Sequence, residues 1–153
     1  MSAEERLSSL GLVLPEPPKA VAAYVPTAVS GATVYVSGQV PFRDGALTRT
    51  GLVGRDVTLE DAVDDARVCA VNVLAQLRDA AGGSLDNVAR IVKVTVFVAS
   101  SEGFHAQPTV ANGASELFVE VFGDAGRHAR AAVGVAALPM GATVEVEAIA
   151  ELS

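Results

Sequence analysis

Arg130 opens a run in which almost nothing else is polar, HARAAVGVAALP, and a second apolar run, TVEVEAIAEL, follows a short turn and carries Glu145. A guanidinium is a planar fork of donors that stays charged at any working pH and matches a carboxylate bidentately. Arg130, with Glu145 in the next strand, is therefore placed for a small anionic ligand. The plainer alternative is a strand-rim arginine in water or paired with a surface acid, where the pair contributes little. Glu145 alternates with Val144 and Val146, as does Glu147, so both also fit the solvated face of a strand. His105 and His128 stand apart without ligand spacing, so neither a metal nor an organic cofactor is expected. Cys69 is the single cysteine; it falls inside a predicted helix and reads as a buried, inert thiol. Asp61, Asp64 and Asp65 could suggest a cation site, but a solvated first helical turn complementing the helix dipole explains them better.

Those residues must be positioned by a chain of 153 residues, a length that predicts one domain over 1–153 with a real core. Half of the residues are hydrophobic, chiefly Ala and Val, which favours close-packed sheet. The net charge of −7, with basic residues spread singly, argues against nucleic acid as a partner. Met1–Arg6 is polar and no run is long enough to span a bilayer, so no membrane partner and a soluble, cytoplasmic protein are expected.

A short helix is predicted over Ser2–Leu10, then an extended connector through Pro15, Pro17 and Pro18. Strands follow from Val21 (AAYVPTAV) and over TVYVSGQVP, joined at Ser30-Gly31, and Asp44-Gly45 marks a hairpin. Thr58-Leu59-Glu60-Asp61 is a capping box that starts a long helix. Its apolar stripe is Ala62, Ala66, Ala70, Val73, Leu74 and Leu77, with Asp64, Asp65 and Arg78 largely off it, and Gly82-Gly83 ends it. In the strand Ile91–Ala99, Val92, Val94, Val96 and Val98 share one face, and Ile91, Lys93, Thr95 and Phe97 the other. Pro108 suits the first turn of a second helix with Ala111, Ala114, Leu117, Phe118, Val121 and Phe122 as its stripe and Gly123 as its end. Two closing strands complete an α+β order. Two helices cover only one sheet face, and the closing strands are apolar on both, so the sheets are expected to pack against one another in a homo-oligomer.

The order of these elements and four stretches resemble the Rid/YjgF family of reactive-intermediate (imine) deaminases, from about Val21 to Leu152. The stretches are AAYVPTAV, VYVSGQVP, NVLAQLRDAAGG with VKVTVFV, and HARAAVGVAALPMGATVEVEAIA. Residues 1–19 then form an N-terminal extension. The resemblance implies a chorismate-mutase-like fold: a mixed β-sheet with two helices on one face, its sheets packed into a trimeric barrel. It also implies roles. Arg130 corresponds to the arginine that grips the substrate carboxylate, and Glu145 to the glutamate associated with the hydrolytic water. Tyr24 corresponds to a tyrosine lining the pocket, Ser37 and Gly38 to the pair at its floor, and Asn112 to an asparagine near the start of the second helix. Where many deaminating members have Cys, this chain has Ala132, at a position that acts through its backbone. Gly134 replaces a common acidic residue, and the extension and the loop Ser100–Thr109 are expected to shape the pocket mouth.

The implied reaction is hydrolysis of a 2-imino acid of the 2-iminobutanoate or 2-iminopropanoate type, without a cofactor. A hairpin centred near Met140 would place Glu145 opposite about Val135 or Ala136, leaving Arg130 roughly 17 Å away. The two would then share a substrate only between the subunits of a homotrimer. Two rivals remain: a non-catalytic trimer that senses small carboxylate metabolites through the same arginine, and the endoribonuclease or translation-inhibitor role of some relatives, which the acidic balance disfavours.

Overall fold

Ser2 and Glu5 close a capping box, so the N-terminal segment forms helix α1 (Ala3–Ser9). The structure is a computed structural model that describes residues 1–19 and 22–153. Leu7 is buried, Glu4 pairs with Arg78 at 2.8 Å, and the Leu85 amide donates to Glu4 at 2.8 Å. Gln76 holds the Pro18 carbonyl at 3.0 Å. The extension is thereby docked at the C-terminal end of the long helix, on Arg78 and Leu85, which are not among the candidate site residues.

The first strand is shorter than expected. Val21 lies outside the described residues, Ala22–Tyr24 bend, and β1 begins only at Thr27 (Thr27–Ser30). Pro26 has no amide to give to a ladder, which sets that boundary. Gly31, at φ +61, turns the chain onto β2 (Thr33–Gln39), whose Val34 and Val36 are buried. Asp44 and Gly45 both take positive φ, 55° and 80°, as a two-residue hairpin between β3 (Phe42–Arg43) and β4 (Ala46–Leu47) requires.

Helix α2 (Leu59–Ala80) starts where Thr58 accepts the Asp61 amide, and ends where the Gly83 amide returns to the Arg78 carbonyl at 2.8 Å. Its predicted apolar stripe is buried throughout. Asp65 departs from expectation: it is fully buried. It accepts from Thr48 Oγ1 at 2.5 Å, Arg49 Nη1 at 2.9 Å and Thr143 Oγ1 at 2.6 Å. A carboxylate among three donors is tolerable out of water, and here it ties the segment after β4 to the segment before the last strand.

Strand β5 (Val88–Ala99) also corrects the sequence reading. Its register against the last strand slips between Ile91 and Lys93, so a bulge sends Ile91 inward at 0% exposure and leaves Val92 40% exposed. Val94, Val96 and Val98 keep their buried face. Helix α3 (Gln107–Phe122) carries Pro108 in its first turn, buries its predicted stripe and stops at Gly123, φ +63.

The closing strands β6 (Ala129–Val135) and β7 (Val144–Leu152) do not form the expected hairpin. β6 pairs parallel with β5, β7 pairs antiparallel with both β5 and β2, and the sheet order is β1-β2-β7-β5-β6. The reason lies in α3: a helix between two strands returns the chain to a parallel neighbour, so β6 docks beside β5. The segment with Met140 at φ +61 then carries the chain past β5 to the vacant side, where β7 inserts. Both long helices pack on one face, over the buried valines of β2, β5 and β7. Among the described residues no helix is long and apolar enough to cross a membrane.

Candidate active site

Arg130 lies in a row that crosses the sheet, Val36–Ala148–Val94–Arg130. Laterally paired residues share a face, and the first three are buried under the helices. Arg130, on the edge strand, accordingly turns toward α3. Its Nη1 donates to Asn112 Oδ1 at 2.8 Å and to Ser115 Oγ at 3.2 Å. Ser115 Oγ lies 2.9 Å from His128 Nε2, and His128 Nδ1 lies 2.7 Å from the Gly126 carbonyl. Phe118 meets the imidazole edge-on, centroids 5.8 Å apart. Burial foremost, with the Arg130 charge added, holds His128 below its ordinary pKa, although the Gly126 carbonyl pulls the other way.

Glu145 is one residue out of phase with the buried Val144 and Val146 and opposite Phe97, so it projects to the face without helices. Its carboxylate rests on the backbone of Gly38, where an added Cβ would overlap Oε1. Only glycine gives that approach. Ser37 fixes the neighbouring segment, donating from Oγ to the Val25 carbonyl at 2.8 Å and from its amide to Pro26 at 2.9 Å. Tyr24, 57% exposed, precedes that clamp by one residue. Burial first, then the like charge of Glu147, raises the Glu145 pKa above its ordinary value. A carboxyl so shifted is a stronger base than a solvated one.

The candidate residues therefore fall into two groups. Asn112 and Arg130 lie together at the sheet edge under α3; Ser37, Gly38 and Glu145 lie together on the open face, beside the Tyr24 segment. The distance expected from a hairpin does not hold, but the separation does. Arg130 is level with Ala148, three residues from Glu145 along β7 and two strands away. At ordinary strand rise and spacing that is about 14 Å between Cα atoms, with the side chains on opposite faces. One small substrate cannot touch both groups of the same chain.

Ala132 follows Arg130 by two residues and shares its face, on an edge strand whose outer backbone groups have no ladder partner among the described residues. Gly134 comes next on that face, and a Cβ there would lie 2.8 Å from Gln107 Nε2 and 3.1 Å from Ser100 Oγ. Gln107 at the start of α3 and Ser100 have taken the space an acidic side chain would need. Cys69 is buried, with its Sγ 3.6 Å from the Val144 carbonyl, and burial pushes its thiol pKa well up, so it is no nucleophile. Ser115 is the contact that sequence reasoning missed, and His128 stood there only as a residue without ligand spacing. Part of the signal was present: Ser115 follows Asn112 by three on a helix, and His128 lies two residues before Arg130, just ahead of β6.

Comparison with known proteins bears on the family and the fold. The family described as "YjgF/chorismate_mutase-like, putative endoribonuclease" matches residues 4–152. Protein TCP17 of Trypanosoma cruzi is 48% identical over 96% of this chain and 92% of its own length. A 2-iminobutanoate/2-iminopropanoate deaminase of Dermatophagoides farinae is 31% identical over 88% of this chain and 90% of its own. The crystal structure of Atu1372 from Agrobacterium tumefaciens, a protein of unknown function, superposes with a TM-score of 0.92 at 49% identity, covering 99% of this chain and 92% of that one.

Proposed function

We infer that the chain, which belongs to the YjgF/chorismate mutase-like family, is a hydrolytic deaminase of 2-imino acids whose site is completed between the subunits of a homotrimer. The observation that carries this reading is the division of one anion grip and one poorly solvated carboxylate between two faces of the same chain. Each half is formed, and neither is sufficient. The open face, with Tyr35, Val25 and Val133 exposed, supplies apolar surface for a contact between copies that brings the halves together.

In the composite site Arg130 of one subunit holds the substrate carboxylate, with charge-assisted bonds that each contribute roughly 1.5–3 kcal/mol. Glu145 of the neighbour accepts a proton from water as the water oxygen bonds to the C=N carbon. Glu145 passes that proton to the imine nitrogen as its π bond opens, giving a neutral carbinolamine. Glu145 then takes the carbinolamine hydroxyl proton as the C=O bond forms and gives it to the nitrogen, the C–N bond breaks, and ammonia and a 2-oxo acid leave. Each proton is returned and no electron is lost, so water is the only co-reactant. Positioned acid–base help of this kind is typically worth about 10²–10⁴ in rate.

The test is ammonia release from freshly generated 2-iminobutanoate. Arg130→Ala and Glu145→Ala should each be inactive alone, and mixed refolding of the two should restore part of the activity, because some composite sites then carry both native groups. Absence of any rescue would count against a shared site. Carboxylate binding without ammonia release would instead make the protein a sensor. Endoribonuclease activity fits poorly with a net charge of −7 and basic residues spread singly.

A further inference from the structure

Resting on the carboxylate grip just described, we propose that Ser115 and His128 are positioning residues that lock Arg130 so that its Nε–Nη2 edge alone is offered, side-on, to the substrate carboxylate. The argument is a count of donors. Nη1 has two hydrogens, and two acceptors, Asn112 Oδ1 at 2.8 Å and Ser115 Oγ at 3.2 Å, occupy them. An end-on grip needs one hydrogen from each terminal nitrogen, and Nη1 has none to spare. Nε and Nη2 keep the parallel pair of hydrogens that a bidentate carboxylate requires.

The direction of the chain behind Ser115 follows from its far end. The Gly126 carbonyl can only accept, so His128 Nδ1 carries the proton at that 2.7 Å contact. In the neutral ring Nε2 is then an acceptor, and the Ser115 hydroxyl donates to it across 2.9 Å. Ser115 Oγ is left with its lone pairs toward Arg130. Every link, from Arg130 through Ser115 and His128 to Gly126, is donor to acceptor. Phe118, fully buried, sets the plane of the ring, so the relay is anchored in the core. A protonated imidazole would drive a second hydrogen at Ser115 Oγ and leave the hydroxyl proton without its acceptor.

The test uses 2-oxobutanoate, the reaction product, as a stable carboxylate probe on the full chain. Ser115→Ala and His128→Leu should each weaken its binding by about three- to tenfold, the worth of one such hydrogen bond. KM for 2-iminobutanoate should rise by the same factor while kcat falls by less, and Ser115→Thr, which keeps the hydroxyl, should restore binding. Ring nitrogen NMR at neutral pH should show the Nδ1–H tautomer of His128, with the Nε2 signal moving in Ser115→Ala. If Arg130→Ala abolishes binding while Ser115→Ala and His128→Leu bind as the wild type does, the relay is overturned and the grip stands. If the wild type fails to bind the probe, or Arg130→Ala binds it unchanged, the grip and the relay fall together.

Discussion

Glu145 binds its proton more tightly in the folded chain than in the unfolded one, because burial and then Glu147 disfavour its charge. Between the unfolded and the raised folded pKa the native state holds more protons, so stability falls as pH rises through that window and stays lower above it. Glu145→Gln removes the penalty. The variant should melt above the wild type at pH 7, and the two should converge below about pH 4, where the carboxyl is protonated in both states. Ammonia release should meanwhile fall by about 10²–10⁴. A melting point that drops at pH 7 would show that Glu145 is a structural partner rather than a group held ready for chemistry. Of the site, Arg130 was legible from the sequence as an isolated charge at the start of an apolar run, and Glu145 as one of two alternating glutamates in the next. The His128–Ser115 link was not, since it joins the segment before β6 to a helical residue thirteen positions away and only packing brings them together.

The elements impose their own test, because two of them carry residues on unexpected sides. Helical periodicity put Asp65 off the apolar stripe and hence in water, yet the segment after β4 and the segment before β7 close over it and supply three donors. Asp65→Ala should cost about 3 kcal/mol in denaturant unfolding, since it leaves Thr48 and Thr143 without this acceptor and takes from Arg49 its buried counter-charge. A solvated first-turn acid would cost under about 1 kcal/mol. In β5 the bulge decides a similar question. Ile91→Ala should lose about 2–4 kcal/mol and Val92→Ala under about 1 kcal/mol, whereas an unbroken alternation of faces would reverse the order. A bulge leaves no mark in a run of apolar residues, so period-two reading passes straight through it.

For the whole molecule the decisive surface is the face without helices. Tyr35 stands on it at 49% exposure, beside the half-buried Ile149 and a depression of about 280 Å³ that Lys93, Thr95 and Glu147 also line. If copies meet there, Tyr35→Asp places a charge in an apolar contact and should give a folded monomer, with wild-type far-UV dichroism and no turnover. Light scattering separates the outcomes: a wild type that is already a monomer removes the shared site, and a Tyr35→Asp chain that remains a trimer removes this face as the contact between copies.

What the amino-acid order determined by itself was local: caps, turns, helix stripes, and a sheet flanked by two helices, because each is set by residues within a few positions of one another. Family likeness then supplied names for residues whose types alone left two readings open. Only the tertiary structure decided that β7 inserts between β2 and β5, that β6 is left at the edge, and that Arg130 and Glu145 face opposite ways. Strand order is chosen by where α3 can bury its apolar side, an energy shared among segments far apart in the chain, and no spacing within either closing strand records it.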